Sequence, residues 1–119
     1  MAFKNQLPLT PLSTGILLAL AAEELHGYAL MKAVEEQSGG VLTSGTGTLY
    51  AALTRLLEDG LIAVCQGAPG DQRRGKSYTI SEAGRELLRA EASRLDAIVR
   101  RAREVNTGPD SELATEGRG

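Results

Sequence analysis

The sequence predicts a mainly α-helical fold with one small β-hairpin and a long helix near its C-terminal end. Three observations carry that expectation. Three apolar-periodic segments with cap and stop residues fill the chain up to Gly60. Two strand-forming runs, Leu61–Cys65 and Lys76–Ile80, then flank a glycine-bearing basic loop. From Ser81 to about Val105, apolar residues recur every three or four positions. Composition agrees. The 119 residues suffice for one modest core, and with 3% aromatics and no tryptophan that core must be aliphatic.

In the first helix, Thr10-Pro11 reads as an N-cap followed by proline at the first helical position. Leu12, Ile16, Leu17, Ala19 and Leu20 line it as far as Glu24-Leu25, and His26-Gly27 breaks it. Lys4, the run Ile16–Ala22 and the small residues Ala19 and Ala21 have the outline of a secretory leader. Pro8, Thr10, Pro11 and Ser13 interrupt the approach and Glu23-Glu24 follows, so a core helix is expected instead. No run reaches the ~18 apolar residues that a membrane span needs, so no membrane partner is expected.

A second helix carries Leu30, Met31, Val34 and Gln37 in helical spacing and stops at Gly39-Gly40; Val41-Leu42 is an extended connector. The third helix starts between Thr46 and Thr48, with the hydroxyl of Ser44 or Thr46 as its cap. Leu49, Ala52, Leu53 and Leu56 share one face, and Gly60 suits a left-handed C-terminal position. Leu61–Cys65 and Lys76–Ile80 pair as a hairpin across the turn-rich Gly67–Asp71. Ser81 caps the last helix, whose stripe is Leu88, Ala92, Leu95, Val99 and Ala102, widened by Leu87, Ile98 and Val105. That stripe suits a second helix; it either folds back on its own domain or meets another copy, and its length favours dimerisation. Beyond Asn106 the composition is that of a disordered tail.

Three short helices followed by a hairpin make a winged helix-turn-helix plan over residues 1–80. Residues 81–106 are then a dimerisation helix and 107–119 a disordered tail. The third helix is the candidate reader of double-stranded DNA. Taking ~3.6 residues per turn, Thr48, Ala51 and Arg55 face outward with Tyr50 and Thr54 at the margins. Thr46, Thr48, Tyr50, Thr54 and Arg55 are the candidate DNA contacts: hydroxyls and backbone N–H groups at the helix start can hold phosphates, and Thr48 or Tyr50 can reach base edges. Arg73, Arg74 and Lys76 form a compact basic cluster in the wing, suited to phosphates. Because the net charge is -2, DNA contact must rest on such a local patch. A solvated helix face and a loop kept basic for solubility are the bland alternatives.

Gly70–Ser77 also satisfies the phosphate-loop pattern G-x-x-x-x-G-K-[ST]. A phosphate loop opens a helix, whereas Ser77 leads into the strand-forming Tyr78-Thr79-Ile80. Gly45 and Gly47 are a fragment of a dinucleotide fingerprint, with Tyr50 where its third glycine belongs. The single histidine, His26, is expected to make a cap or core hydrogen bond, and Tyr28 and Tyr78 to be packing residues. The single cysteine, Cys65, is expected to be buried and inert. One histidine and one cysteine build neither a metal site nor a nucleophile–base pair, so no cofactor, metal or enzymatic activity is expected. A reducing cytoplasm is the natural compartment.

These residues resemble the PadR-like winged-helix transcriptional regulators. The resemblance rests on His26-Gly27-Tyr28-Ala29-Leu30 and on Ser44 followed by Gly45 through Leu56. It continues in Glu58-Asp59-Gly60-Leu61-Ile62, and in Arg73-Arg74 leading to Tyr78-Thr79-Ile80-Ser81 and Gly84-Arg85. It covers about residues 10 to 105 and is closest to the compact subgroup with no further C-terminal domain. It implies a homodimer on a pseudo-palindromic operator, acting as a ligand-responsive repressor. It also implies an inducer of unknown identity, seated between the dimerisation helices and the heads. Some relatives stack flat aromatic drugs on a tryptophan pair, which this chain lacks. Two positions depart from the family pattern. Ala51 stands where proline is usual, and Gly75 and Ser77 flank the wing lysine where bulkier or basic residues are common.

Overall fold

The computed structural model describes residues 7–43, 45–65 and 76–106. Four helices and a small antiparallel sheet run in the order α1 (Pro11–Ala22), β1 (Leu25–His26), α2 (Gly27–Gln37), α3 (Thr46–Glu58), β2 (Ile62–Cys65), β3 (Ser77–Ile80) and α4 (Glu82–Asn106). The chain divides into two compact units, Met1–Arg89 and Ala90–Gly119.

The expected signals place most boundaries of the first unit. Thr10 caps α1, its hydroxyl accepting from the Ser13 amide at 3.0 Å with proline in the first turn. The apolar run of α1 is core: Ile16, Leu17, Ala19 and Leu20 are all buried. The helix ends at Ala22, before Glu24-Leu25, because Glu23 is already extended. Gly39 and Gly40 end α2 with positive φ, and Gly60 (φ +74) does the same after α3, a conformation costly for any residue with a Cβ. Ser81 ties three elements together. Its amide donates to the Leu61 carbonyl at 3.0 Å and its hydroxyl to the Gly60 carbonyl at 2.7 Å, while the hydroxyl oxygen accepts from Gly84 at 3.0 Å as the cap of α4. Gly84 is required there, since a methyl group at this position would collide with the Leu61 carbonyl oxygen.

The sheet differs from the expected hairpin by one strand. β3 lies in the middle, paired antiparallel with β2 (Ile62 opposite Ile80, Cys65 opposite Ser77) and with β1 (Leu25 opposite Tyr78, His26 opposite Ser77). A strand of two residues has no periodicity to detect, and it exists only because β3 passes alongside. Ser77 sits at this junction, fully buried, with its hydroxyl donating to the Glu24 carboxylate and the Cys65 carbonyl 3.3 Å away.

Ile16, Leu17, Leu30, Val34, Leu49, Leu53, Leu56, Leu61, Ile62 and Leu87 form one aliphatic core, with Tyr78 as its buried aromatic. Each such side chain removed from water contributes roughly 1.5–3 kcal/mol before the entropy of ordering is subtracted. Two close contacts set the approach of α1 to α2. Val34 packs against Gly15, and the Gln37 amide nitrogen donates to the Gly15 carbonyl at 2.7 Å.

In the second unit, Glu91 is buried and accepts two hydrogen bonds from Arg94, at 2.7 and 2.8 Å. These bonds to the carboxylate raise the affinity of the Arg94 guanidinium for its proton. The exposed face carries the ion pairs Arg100–Asp96 and Arg101–Glu104. Such solvated pairs are worth little to stability. The expected tail, 107–119, lies outside the described residues.

Candidate nucleic-acid interface

α3 presents two chemically opposite faces. Leu49, Leu53 and Leu56 point into the core, 1–3% exposed, while Thr46, Gly47, Thr48, Tyr50, Ala51, Thr54 and Arg55 are all exposed. The start of the helix differs from expectation. Gly45 is the N-cap and, having no side chain, makes no cap bond of its own, and Thr46 is the first helical residue; Ser44 lies outside the described residues. The helix dipole is positive at this end. A Cβ at Gly45 or Gly47 would meet only open space. A phosphate or a groove edge can thus approach this end closely.

The outward residues split between two flanks. Tyr50, Thr54 and Lys76 border one cleft of about 500 Å³, together with His26, Tyr28 and Tyr78. Arg55 lines a different cleft with Thr10, Ser13 and Asp59, so the structure does not bring it to the wing side. Arg73 and Arg74 lie outside the described residues, and Lys76 is exposed just before β3. The Thr54 hydroxyl donates to the Tyr50 carbonyl at 2.9 Å, which leaves its oxygen free only to accept. Ala51 continues the helix without interruption, as expected of the best helix former in the place of a usual proline.

Residues that pattern reading placed elsewhere also border this cleft. Tyr28 is 70% exposed and is no packing residue. Helical arithmetic could have found it, because Gly27, Leu30 and Val34 form the buried face of α2 and position 28 falls opposite them. Gly27 is the seat of Tyr50: a methyl group there would collide with the Tyr50 hydroxyl and ring. No local signal reports that contact. His26 occupies the N-cap of α2 but its ring makes no capping bond; its backbone serves the pairing of β1 instead. Tyr78 is buried as expected, and burial, then the neighbouring Tyr50, pushes its phenol above the ordinary range. It is neutral at physiological pH.

The region after Gly75 is a strand, so the segment matching a phosphate loop does not open a helix. Cys65 is half-buried rather than buried, its sulfur 3.8 Å from the Thr79 hydroxyl. Among the described residues no His, Cys, Asp or Glu cluster could hold a metal ion, and no helix is long and apolar enough to cross a membrane.

Along α4, Leu87 and Leu88 belong to the head, Leu87 in the core and Leu88 packed against it. Ala92, Leu95, Val99 and Ala102 are exposed, as are Ile98 and Val105. The apolar stripe of the second unit thus stands in water.

The transcriptional regulator PadR-like family matches this chain over residues 16–90. A curated relative is an uncharacterised 37.1 kDa protein in transposon TN4556 of Streptomyces fradiae. It is 42% identical over 77 residues, which are 65% of this chain and 21% of that protein, so the chain spans about a fifth of the relative's length. Among solved structures, a PadR-like transcriptional regulator from Bacillus cereus has a TM-score of 0.69 at 23% identity, covering 82% of this chain and 92% of its own, a likeness of fold. PadR of Bacillus subtilis in complex with operator DNA has a TM-score of 0.60 at 26% identity, covering 70% of this chain and 47% of its own.

Proposed function

Because the chain belongs to the PadR-like family of transcriptional regulators, we propose that it works as a homodimer on a pseudo-palindromic operator and represses transcription there. The family is one of regulators, not of enzymes. The observation that carries the proposal is the outward face of α3, along which Thr46, Thr48, Tyr50, Thr54 and Arg55 are all exposed. Bacillus subtilis PadR is a relative in complex with operator DNA, which supports the same partner here.

In this reading α3 lies in the major groove. Its first-turn amides and threonine hydroxyls fix register on phosphates, while Thr48 or Tyr50 reaches base edges. Arg73, Arg74 and Lys76 in the wing neutralise backbone charge, which gives affinity without sequence preference. A second copy meets the stripe of Ala92, Leu95, Val99 and Ala102; Leu88, packed against the core, is not part of it. That places two reading helices about one helical turn (~34 Å) apart on one side of the duplex. A small-molecule inducer that favours another spacing of the heads would lower operator affinity. Such a protein acts in the cytoplasm.

A gel-shift series on duplex from upstream of the protein's own gene tests this. Retardation at low salt is expected, with log affinity falling linearly in log salt. Arg73→Ala with Arg74→Ala should reduce that slope by about three to four, at ~0.9 for each phosphate no longer neutralised by the two protomers. No retardation of any duplex at low salt would leave a dimerising module that ignores DNA.

A further inference from the structure

The N-terminal end of α2 carries a feature that core packing does not explain. Tyr28 leaves its ring 70% exposed, the most exposed aromatic among the described residues. It borders the same cleft as Tyr50 and Thr54 of α3 and Lys76 at the foot of the wing. The cleft is coherent in charge: Lys76 supplies a positive group, and among the described residues no carboxylate lines it. Its two walls are also held together. Tyr50 rests on Gly27, the residue before Tyr28, so closely that no side chain fits between them. The start of α2 is therefore locked to the wing-side flank of the reading helix. An exposed phenol and a lysine that border one cleft, at the edge of a helix that enters a groove, present a hydroxyl donor and a cation to the passing backbone.

We infer that Tyr28 and Lys76 together hold one backbone phosphate of the bound duplex, with the Tyr28 hydroxyl donating to a phosphate oxygen and the Lys76 ammonium paired to the same group. This rests on the DNA-binding reading and extends it, since it adds α2 to an interface otherwise built from α3 and the wing. The chemistry assigns the two residues different signatures. Losing a cation reduces counterion release and so the salt dependence, whereas losing a neutral donor lowers affinity at every salt concentration alike. Neither residue distinguishes one base from another, so both effects appear on any sequence.

The experiment is fluorescence anisotropy of the full chain with a mixed-sequence duplex of about three helical turns, titrated at several salt concentrations. Tyr28→Phe keeps the ring and removes only the hydroxyl. It should weaken binding about a hundredfold with the salt slope unchanged, the size expected for one hydrogen bond to a charged group in each protomer. Lys76→Gln should lower the slope by about two, one phosphate contact being lost in each protomer. The double variant should lose less than the product of the two single losses, because both groups act on one phosphate. Thermal unfolding of Tyr28→Phe should match that of the unaltered protein. Tyr28→Phe binding within about twofold of the unaltered protein overturns the inference and leaves the DNA-binding reading standing. Multiplicative losses overturn the shared phosphate, and a lowered unfolding temperature makes Tyr28 a structural residue. If the unaltered chain binds no duplex at low salt, the DNA-binding reading fails and the inference falls with it.

Discussion

α3 and the C-terminal part of α4 are both amphipathic helices, and their apolar faces meet opposite fates. In α3 the face made by Leu49, Leu53 and Leu56 is at most 3% exposed. In α4, Leu95, Ile98, Val99 and Val105 remain 37–59% exposed. The periodicity is the same in kind, so it says only that a face needs cover and not what provides it. The head supplies cover for α3 from its own chain. The stripe on α4 is left with apolar surface whose removal from water is worth roughly 25 cal/mol per Å², a driving force for association with another molecule. The outer faces differ as well. That of α3 carries small and hydroxylic residues that permit close approach, whereas that of α4 carries solvated ion pairs such as Arg100–Asp96.

The contrast can be broken at several points. The largest effect is expected at Leu53→Ala, which removes a side chain 1% exposed from the centre of the core. Denaturant unfolding should show a loss of about 3 kcal/mol, and a loss below about 1 would mean that the α3 face is not a core face. Next comes the α4 stripe. Leu95→Glu with Val99→Glu should raise the dimer dissociation constant at least about tenfold in sedimentation equilibrium, because two charges must lose water at the contact. Both positions are already solvated in the single chain, so the fold of the head should persist. A double variant that still sediments as a dimer would move the contact elsewhere.

The smallest effects lie at the helix starts, and they sharpen the comparison within the head. Ser81→Ala should cost about 1 kcal/mol by removing the cap of α4. Gly45→Ser should instead stabilise by a few tenths of a kcal/mol, since Gly45 has an ordinary backbone (φ -73) with open space for a side chain. If the start of α3 serves DNA, that same variant should weaken duplex binding in the gel-shift series while it raises the unfolding midpoint. A variant gaining both stability and DNA affinity would argue against phosphate contact at this end.

Much of the head was legible because its signals are local. Thr10-Pro11, Gly39-Gly40, Gly60 and Ser81 each act on backbone within a few residues, and each has the expected role. The readings that changed depend on partners distant in sequence. β1 forms because residues 77 and 78 lie beside it. Thr46 does not cap α3, since the turn entering the helix puts Gly45 at that position. The site was legible in part: the outward face of α3 followed from its period, but not its division into a wing-side flank with Tyr50, Thr54 and Lys76 and a separate flank with Arg55. Tyr28 was accessible to the same helical arithmetic, and its aromatic character concealed it.

What the amino-acid order determines by itself is the succession of elements, their stops, the aliphatic character of the core and the family. These follow from dihedral preferences, capping hydroxyls and periodicity, which act over a turn or two of chain. Tertiary structure alone decided that β3 is a central strand, that Gly27 is the seat of Tyr50, that Ser77 is buried against Glu24, and that Tyr28 and Lys76 border one cleft. Each is a meeting of side chains far apart in sequence, or a consequence of one. Such meetings are set by how helices and strands fill a shared volume, a constraint that no local pattern records.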